Sequence, residues 1–484
     1  MLFNSYIFIL AFIPLCLLGY FLFNKFEKYN IAQGFLLGMS LWFYGYFNIF
    51  YLFIIIASIL INFGLYKLID KFQGTSKTKP LMIFGVLVNL GLLGYFKYTD
   101  FFISTVNGIF KTDIPLLHIL LPLGISFFTF QQVSFIVDAY RGDIPKYGFL
   151  QYASFVAFFP QLIAGPIVTH DELVPQFLDK SKKSFNPDNL ASGLFMFTIG
   201  LSKKVLIADT FSDVVSYGYV APERLNTLSA WIIIISYTLQ IYFDFSGYCD
   251  MAIGLARMFN IDIPINFDSP YKATTIAEFW DRWHMTLTRF FTKYLYIPLG
   301  GSRKGVVRTY VNVFLVFLAS GFWHGAGFTF IIWGVLHGLF MVFTRANKKW
   351  IDKIPGFLKW PVTFLFVNLT WVFFRAPSIP VALRVLKTAF SFNFAAIDPI
   401  ITNAFRIKEI SKILSFIHLE DRFPNIIMIG FFILCFVITF AFKNSHAMLK
   451  KFKPNVLTLI ITVFLFLWSF FSISGVSTFL YFNF

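Results

Sequence analysis

Apolar runs separated by short polar loops extend over most of this chain. Residues 51–65, 231–242 and 310–318 contain no charged side chain. Because a membrane-crossing helix needs roughly 20 apolar residues, the pattern predicts about ten to twelve spans, with shorter runs forming re-entrant helices. The predicted helices lie near residues 5–23, 33–47, 49–66, 81–97, 117–137, 150–164, 190–207, 228–245, 309–322, 327–344, 358–374, 426–442 and 455–474. We therefore predict an all-α polytopic membrane protein.

Composition and charge agree with a membrane protein and argue against a nucleic-acid-binding one. Of the 484 residues 57% are hydrophobic and 13% are charged, and 40 Lys and Arg against 24 Asp and Glu give a formal charge of +16. The basic residues cluster in short loops such as 67–79, 345–359 and 443–453. Such loops stay in the cytoplasm, and Lys25 and Lys28 after the first, retained apolar helix favour an outside N-terminus.

The cysteines and the absence of familiar motifs limit the chemistry that the chain can perform. Cys16, Cys249 and Cys435 lie far apart in apolar surroundings, so buried thiols are expected instead of disulfides. The sequence has no HExxH or HxxxH spacing, and we expect no bound metal or cofactor. It also lacks a GxSxG elbow, a P-loop and a GxGxxG fingerprint.

Charged side chains accumulate between residues 244 and 301, where they interrupt the apolar pattern. At membrane depth, unpaired charges are tolerated only inside protein or beside a water-filled cavity. Residues 276–294 repeat apolar side chains at intervals of three and four, which predicts one amphipathic helix at the interface or along a polar chamber. Its Arg282, Arg289 and Lys293 could attract an anionic carrier, although ion pairs or headgroup contacts explain them equally well.

His324 lies within residues 320–327, Ser-Gly-Phe-Trp-His-Gly-Ala-Gly, between two apolar runs. An ionisable side chain at membrane depth is costly and is by default a functional-site hypothesis. If the preceding helix starts near Val311 on the inner side, His324 lies roughly 20 Å along it, inside the bilayer. A neutral buried imidazole can accept a proton, so His324 is our candidate general base for attack of a hydroxyl on a thioester. The alternative is a histidine that only hydrogen-bonds a neighbouring helix.

The other histidines are weaker candidates. His284 could orient the substrate or support the base, or it could be an interfacial histidine on the amphipathic helix. His337 would lie roughly 20 Å from His324 along a single helix, so we do not expect the two to share a site. The histidines expected to be solvated or interfacial are His118, His170, His418 and His446.

Short motifs in a fixed order carry a family resemblance over most of the chain. They are PLGISFFTFQ (122–131), FPQLIAGPI (159–167), FDFSGYCDMAIG (243–254), FWDRWH (279–284), YLYIPLGG (294–301), GFWHG (321–325), WGVLHG (333–338) and WVFFRA (371–376). Together they resemble the membrane-bound O-acyltransferases, specifically the bacterial alginate O-acetyltransferase membrane subunits and similar peptidoglycan O-acetyltransferase subunits. Two residues depart from the family pattern: Asp281 replaces an expected basic residue, and Cys249 an expected serine.

The resemblance implies a many-helix fold around a central chamber, with His324 as the catalytic histidine and His284 at a second active-site position. It implies an enzyme of the bacterial cytoplasmic (inner) membrane that passes acetyl from cytoplasmic acetyl-CoA outward. The acceptor or partner would be an extracytoplasmic serine esterase-like (SGNH-type) acetyltransferase that modifies a polysaccharide or peptidoglycan. The candidate substrate- or donor-binding residues are Asp244, Ser246, Arg282, Trp283, Arg289 and Trp323.

The chain divides into N-terminal helices (1–97), a core (98–375), a segment predicted outside the membrane (376–424) and C-terminal helices (425–484), all within one membrane-embedded domain. Three other functions compete with acetyl transfer. A D-alanyl transfer subunit would use a carrier-protein thioester. A secondary transporter would explain intramembrane charges, but the sequence lacks the paired halves with matching broken segments that such proteins tend to show. A polysaccharide-assembly scaffold would leave the buried histidine without a purpose.

Overall fold

The computed structural model describes residues 1–405, 424–473 and 479–480, which form helices joined by short loops. No strand occurs in these ranges, where one β-bridge pairs Phe267 with Trp283. The α-helices are α1 (Ile13–Lys25), α2 (Tyr29–Gly45), α3 (Ile49–Lys71), α4 (Thr78–Phe110), α5 (Ile125–Arg141), α6 (Phe149–Ala157), α7 (Phe159–Leu162), α8 (His170–Leu178), α9 (Pro187–Ser202), α10 (Asp209–Val220), α11 (Thr227–Met258), α12 (Ile276–Arg282), α13 (Met285–Phe291), α14 (Val306–His324), α15 (Phe328–Ala346), α16 (Lys348–Ile351), α17 (Gly356–Arg375), α18 (Ile379–Ala389), α19 (Pro399–Asn403), α20 (Pro424–Phe440), α21 (Ser445–Lys450) and α22 (Val456–Phe471). Short π-helical turns cover Phe8–Phe12, Lys203–Ala208 and Thr292–Tyr296, and 3₁₀ turns cover Lys180–Lys182, Pro222–Arg224 and Pro270–Lys272.

Eight helical segments in the described ranges are long and apolar enough to cross a membrane. They are Phe8–Lys25, Ile49–Lys71, Thr78–Phe110, Pro187–Val220, Thr227–Met258, Val306–His324, Phe328–Ala346 and Gly356–Arg375. Each helix predicted from the sequence falls on a helical segment, so the prediction of an all-α polytopic membrane protein is confirmed. Fewer segments reach full length than expected, because α2 and α5 have 17 residues each and α20 and α22 are also short.

The most buried membrane helix is α11, which lies at the centre of the core. Of its most hydrophobic window, 78% is buried inside the protein, although it carries Asp244 and Asp250. It packs closely on α9, where a Cβ at Gly200 would lie 2.5 Å from the carbonyl oxygen of Gly247. Small residues let two membrane helices approach to backbone contact, which strengthens packing where the hydrophobic effect between helices is weak.

The helices α14 and α15 form an antiparallel hairpin, and the turn that joins them contains Gly325 and Gly327. Both glycines have extended backbone, so the chain reverses directly after His324. The two helices touch through Gly321, where a Cβ would lie 2.5 Å from the carbonyl oxygen of Phe330. The opposite end of the hairpin carries exposed basic residues, including Arg303, Lys304, Arg345 and Lys348.

The prediction of a single amphipathic helix over 276–294 is wrong, because the structure divides this segment into α12 and α13. Trp283 and His284 lie between the two helices, and His284 has left-handed backbone (φ 47°, ψ 50°). The break is buried, which is where irregular backbone can exist at membrane depth. A predicted helix over 150–164 is likewise divided into α6 and α7 at Phe158.

Candidate active site

His324 is the last residue of α14 and is enclosed by aromatic rings. Only 3% of the residue is exposed. Its ring centroid lies 5.2 Å from that of Trp333 on α15 and 5.1 Å from that of Phe374 on α17. The preceding Trp323 packs on the other side of the imidazole, with ring centroids 4.9 Å apart. This aromatic shell around His324, which we call the histidine chamber, is therefore built by helices from several parts of the chain.

His284 reaches the same chamber from the break between α12 and α13. The centroids of the His284 and His324 rings are 6.4 Å apart, and Trp323 borders both rings. His284 is completely buried and also contacts the ring of Phe245 on α11. The left-handed backbone at His284 is unfavourable for a residue with a Cβ, and the surrounding contacts must hold it. The structure thus brings together the two histidines proposed from the sequence.

Asn266 fixes the orientation of the His284 imidazole. Its side-chain oxygen accepts hydrogen bonds from the Thr286 hydroxyl (2.7 Å) and the Thr286 N–H (3.2 Å), and it lies 3.3 Å from His284 Nδ1. Its amide nitrogen donates to Cys249 Sγ, which sets the orientation of the carboxamide. Because Asn266 Oδ1 can only accept, the proton of a neutral His284 belongs on Nδ1, and Nε2 carries the lone pair. Burial lowers the pKa of His284 to about 3, so the ring is neutral near pH 7.

The helix that ends at His324 is capped by two side chains of α4. Lys97 Nζ donates to the carbonyl oxygens of Trp323 (2.5 Å) and His324 (3.1 Å). The Tyr98 hydroxyl donates to the carbonyl oxygen of Phe322 (2.6 Å). The last four carbonyls of a helix have no intrahelical donor, so these two residues satisfy three of them.

His337 lies closer to His324 than the sequence suggested, because α14 and α15 form a hairpin. The prediction that the two histidines stand far apart along one helix is wrong, since Trp333 contacts both rings. The Trp280 indole N–H donates to His337 Nδ1 (3.2 Å), so the proton of a neutral His337 is on Nε2, 3.0 Å from the Thr370 hydroxyl. His337 therefore joins α12, α15 and α17 beside the chamber.

Two cavities meet at Trp280 and Asp281, next to the histidine chamber. A cavity of about 530 Å³ runs between α14 and α15, from Arg345 and the Lys348–Asp352 ion pair (2.6 Å) at its mouth to Ser320, one turn before His324. A cavity of about 480 Å³ on the other side includes Thr286, Arg289 and Lys293. An elongated molecule fits this arrangement, because one end can stay beside Arg345 at the mouth while the other end approaches His324.

Four of the other predicted binding residues fall into two surroundings. Trp323 and Trp283 belong to the aromatic shell, where Trp283 packs against Trp371 at 5.1 Å between ring centroids. Asp244 and Ser246 lie on α11 in buried ion clusters: Asp244 accepts from Lys204 at 2.8 Å, and Ser246 is 3.4 Å from Lys203 Nζ. Their role in donor binding stays a prediction.

The predicted cationic residues of this region are engaged in ion pairs. Arg282 pairs with Glu278 at 2.9 Å, and Arg289 pairs with Glu172. Lys293 pairs at 2.9 Å with Asp138, whose side chain is buried. The ion-pair interpretation therefore describes their resting geometry, while Arg289 and Lys293 still line the smaller cavity.

His170 was expected to be solvated or interfacial, and that prediction is wrong. It is 3% exposed, and its Nε2 lies 3.6 Å from Asp138, the buried carboxylate that also binds Lys293 and Tyr294. His118 is exposed and His446 is half-buried. His418 lies outside the described residues. The three cysteines are free and buried, as predicted.

Sequence reasoning missed Lys97 and Asn266 as site residues. Lys97 had only a weak signal, because Asp100 follows it and the two charges resemble the polar end of an apolar run. Asn266 had none, because it lies in a loop without periodicity and meets His284 only through the tertiary fold. Among the described residues no group of three His, Cys, Asp or Glu side chains could hold a metal ion.

Comparison with known proteins shows similarity to membrane acyltransferases. Residues 125–381 match the model of MBOAT, the membrane-bound O-acyltransferase family. The chain is 42% identical to a peptidoglycan O-acetyltransferase of Helicobacter pylori, over 100% of this chain and 98% of the relative. It is 40% identical to a probable alginate O-acetylase of Pseudomonas aeruginosa, over 81% of this chain and 75% of the relative. A teichoic acid D-alanyltransferase of Bacillus subtilis is 29% identical over 48% of this chain and 60% of the relative.

Proposed function

The chain belongs to the membrane-bound O-acyltransferase family and is a multi-pass membrane O-acyltransferase, and we propose that it transfers acetyl groups for the O-acetylation of a cell-envelope polymer. The observation that carries the proposal is the pair of buried histidines, with ring centroids 6.4 Å apart, beside a cavity that extends from Arg345 to Ser320. Similarity over the full length to a peptidoglycan O-acetyltransferase favours peptidoglycan as the polymer.

The donor in this proposal is acetyl-CoA from the cytoplasm. Its phosphates are anionic and would stay near Arg345 and Lys348, while the thioester enters the cavity toward Ser320. Basic loops lie on the cytoplasmic side of bacterial membrane proteins, which supports entry from that side of the inner membrane. The acetyl group then leaves on the opposite side, where an extracytoplasmic serine esterase-like acetyltransferase receives it.

His324 acts as the general base of the transfer. Its imidazole takes the proton of the acceptor hydroxyl as that oxygen attacks the thioester carbonyl carbon. The C–S bond breaks, an ester forms, and the thiolate takes that proton from the His324 imidazolium, so that coenzyme A leaves as the free thiol and His324 returns to its neutral form. His284 stays neutral with its proton on Nδ1, and its Nε2 can accept a hydrogen bond from another polar group of the substrate, because the single proton of the attacking hydroxyl goes to His324.

Reconstitution tests this function. The protein is placed in proteoliposomes with acetyl-CoA labelled in the acetyl group outside and the partner acetyltransferase inside, in the orientation that exposes the basic loops to the donor. Wild type is expected to pass label to the partner, and His324→Ala is expected to pass none while retaining its melting temperature. His118→Asn changes an exposed histidine outside the site and serves as the control. Undiminished transfer by His324→Ala would show that His324 is not the base.

The same assay separates the alternatives. A D-alanyl transfer subunit would use a carrier-protein thioester and leave acetyl-CoA untouched. A secondary transporter would move its substrate across the membrane without making a new acyl bond. Either result in place of labelled partner would overturn acetyl transfer.

A further inference from the structure

A membrane-facing groove lies between α1 and α9, and none of its residues lines the two cavities beside the histidines. Its volume is about 1060 Å³. The walls are apolar, with Leu10, Ile13, Leu17, Leu194, Phe197 and Phe466 among the lining residues. Much of this surface belongs to helical segments that are long and apolar enough to span the membrane, so lipid chains are its natural neighbours.

One end of the groove is polar and positively charged. It is lined by Asn24, Lys25, Lys183 and Ser184, and the described lining residues include two lysines and no carboxylate. Asn24 and Lys25 are the last two residues of α1, and Lys183 and Ser184 lie in the loop before α9, at the ends that the charge pattern predicts on the cytoplasmic side. The groove thus joins an apolar wall to a cationic end.

Lys183 is a buried cation within that end. The residue is 4% exposed, and its ammonium lies 5.9 Å from the centre of the Tyr20 ring. In the part of the chain that the structure describes, no carboxylate lies within 4 Å of this ammonium. The neighbouring Lys182 differs, because its ammonium binds Gln176 at 2.6 Å and Asp262 at 3.3 Å. Burial lowers the pKa of Lys183 to about 8, although the exposed Asp179 opposes this shift in part, and an anion in direct contact would raise the pKa further.

Asn24 supplies a second buried polar group. It is 5% exposed, and its side chain lies near the Tyr20 hydroxyl, one turn earlier on α1. An amide has two donors and an oxygen that accepts, so Asn24 can still bond to a ligand that carries hydroxyl groups.

We propose that this groove binds one anionic phospholipid from the leaflet that faces the basic loops. The phosphate lies against Lys183 and Lys25, the headgroup hydroxyls meet the Asn24 amide, and the acyl chains lie along the walls near Leu17 and Phe197. A zwitterionic lipid would place its own cation among the two lysines, which the charge of the lining disfavours.

Native mass spectrometry of the full-length, delipidated protein tests this site, with phosphatidylglycerol, phosphatidylcholine and soluble glycerol phosphate as probes. Each lysine near an anionic headgroup contributes about 1 kcal/mol, so one phosphatidylglycerol is expected to bind at least about fivefold more tightly than phosphatidylcholine. Lys183→Gln is expected to abolish this preference, and Lys182→Gln, whose lysine is already paired, to keep it. Since Lys183 is buried, the exposed Lys25→Gln is the second variant and is expected to reduce the preference.

Equal binding of the two lipids to wild type would overturn the proposal. So would an unchanged preference in both Lys183→Gln and Lys25→Gln. If glycerol phosphate bound as tightly as phosphatidylglycerol, the apolar groove would contribute nothing and the site would be one for a free phosphate ester instead of a lipid.

Discussion

Lys97 holds the backbone carbonyl oxygen of His324, although the two residues are 227 positions apart in the chain. The ammonium bridges the carbonyls of Trp323 and His324, where the negative end of the α14 dipole favours a cation. Lys97 lies outside residues 125–381, the range that matches the family model. The N-terminal helices therefore complete a site whose histidines belong to the family core.

Replacing Lys97 is expected to slow transfer without weakening donor binding. Lys97→Met removes a charged hydrogen-bond donor from two carbonyls, and bonds to charged groups contribute about 1.5–3 kcal/mol. If that energy holds His324 in place, kcat should fall at least about tenfold while KM for acetyl-CoA stays unchanged. Lys97→Arg keeps the charge and the donors, and it should recover most of the rate.

Hydrogen exchange gives a second measurement of the same interaction. Amides near residues 318–325 should exchange faster in Lys97→Met than in wild type, because the last turn of α14 loses its cap. Tyr98→Phe, which releases only the carbonyl of Phe322, should have a smaller effect on both rate and exchange. Equal rates and equal exchange in Lys97→Met and wild type would refute a positioning role.

Asn266 is expected to affect catalysis through His284. Asn266→Leu has nearly the same size but cannot accept from His284 Nδ1 or from Thr286, so the imidazole loses its fixed orientation. The transfer rate per folded protein should fall about tenfold or more, which the proteoliposome assay measures. The control is Asn368→Leu, which removes another buried asparagine, bonded to Thr238 on α11. It should lower the melting temperature without lowering that rate, and comparable rate losses in both variants would contradict the prediction.

The sequence predicts the helices better than it predicts how they end. The apolar stripe over 276–294 keeps its period across Trp283 and His284, so nothing local indicates a break. The break depends on Asn266, whose backbone carbonyl accepts from Met285 N–H and whose side chain accepts from Thr286. Those bonds join residues about 20 positions apart, which periodicity cannot detect.

The two histidines could be proposed from the sequence because an imidazole among apolar residues is unusual and lies in recognisable motifs. The residues that support them, Lys97 and Asn266, could not be proposed from the sequence. The predicted helix over 81–97 ends at Lys97, whereas the structure continues α4 to Phe110 and directs the ammonium at the carbonyls of α14. The hairpin after Gly325 similarly brings His337 near His324, which linear spacing along one helix argued against.

His337 is expected to act on stability more than on chemistry. His337→Phe keeps an aromatic ring but leaves the Trp280 N–H without its acceptor. An unsatisfied buried donor costs about 1–3 kcal/mol, so the melting temperature in detergent should fall. His337→Gln provides an amide oxygen for Trp280 and should restore part of the loss. If His337→Phe has the same melting temperature as wild type but transfers no acetyl group, His337 takes part in the reaction instead.

Close contact between α14 and α15 should be needed for both stability and transfer. A Cβ at Gly321 would lie 2.5 Å from the Phe330 carbonyl oxygen and 3.0 Å from the Gly334 Cα, and backbone atoms cannot move aside as a side-chain end can. Gly321→Ala must therefore separate the two helices, at a cost of about 1–3 kcal/mol for an overpacked contact. Because His324 follows within one turn, its ring shifts with the helix, and transfer should fall more than the folded fraction does. Gly327→Ala is the matched control, since a Cβ there meets nothing closer than 3.6 Å and the backbone is extended. A Gly321→Ala protein with the melting temperature and transfer rate of Gly327→Ala would show that the crossing tolerates a wider spacing and that His324 does not depend on it.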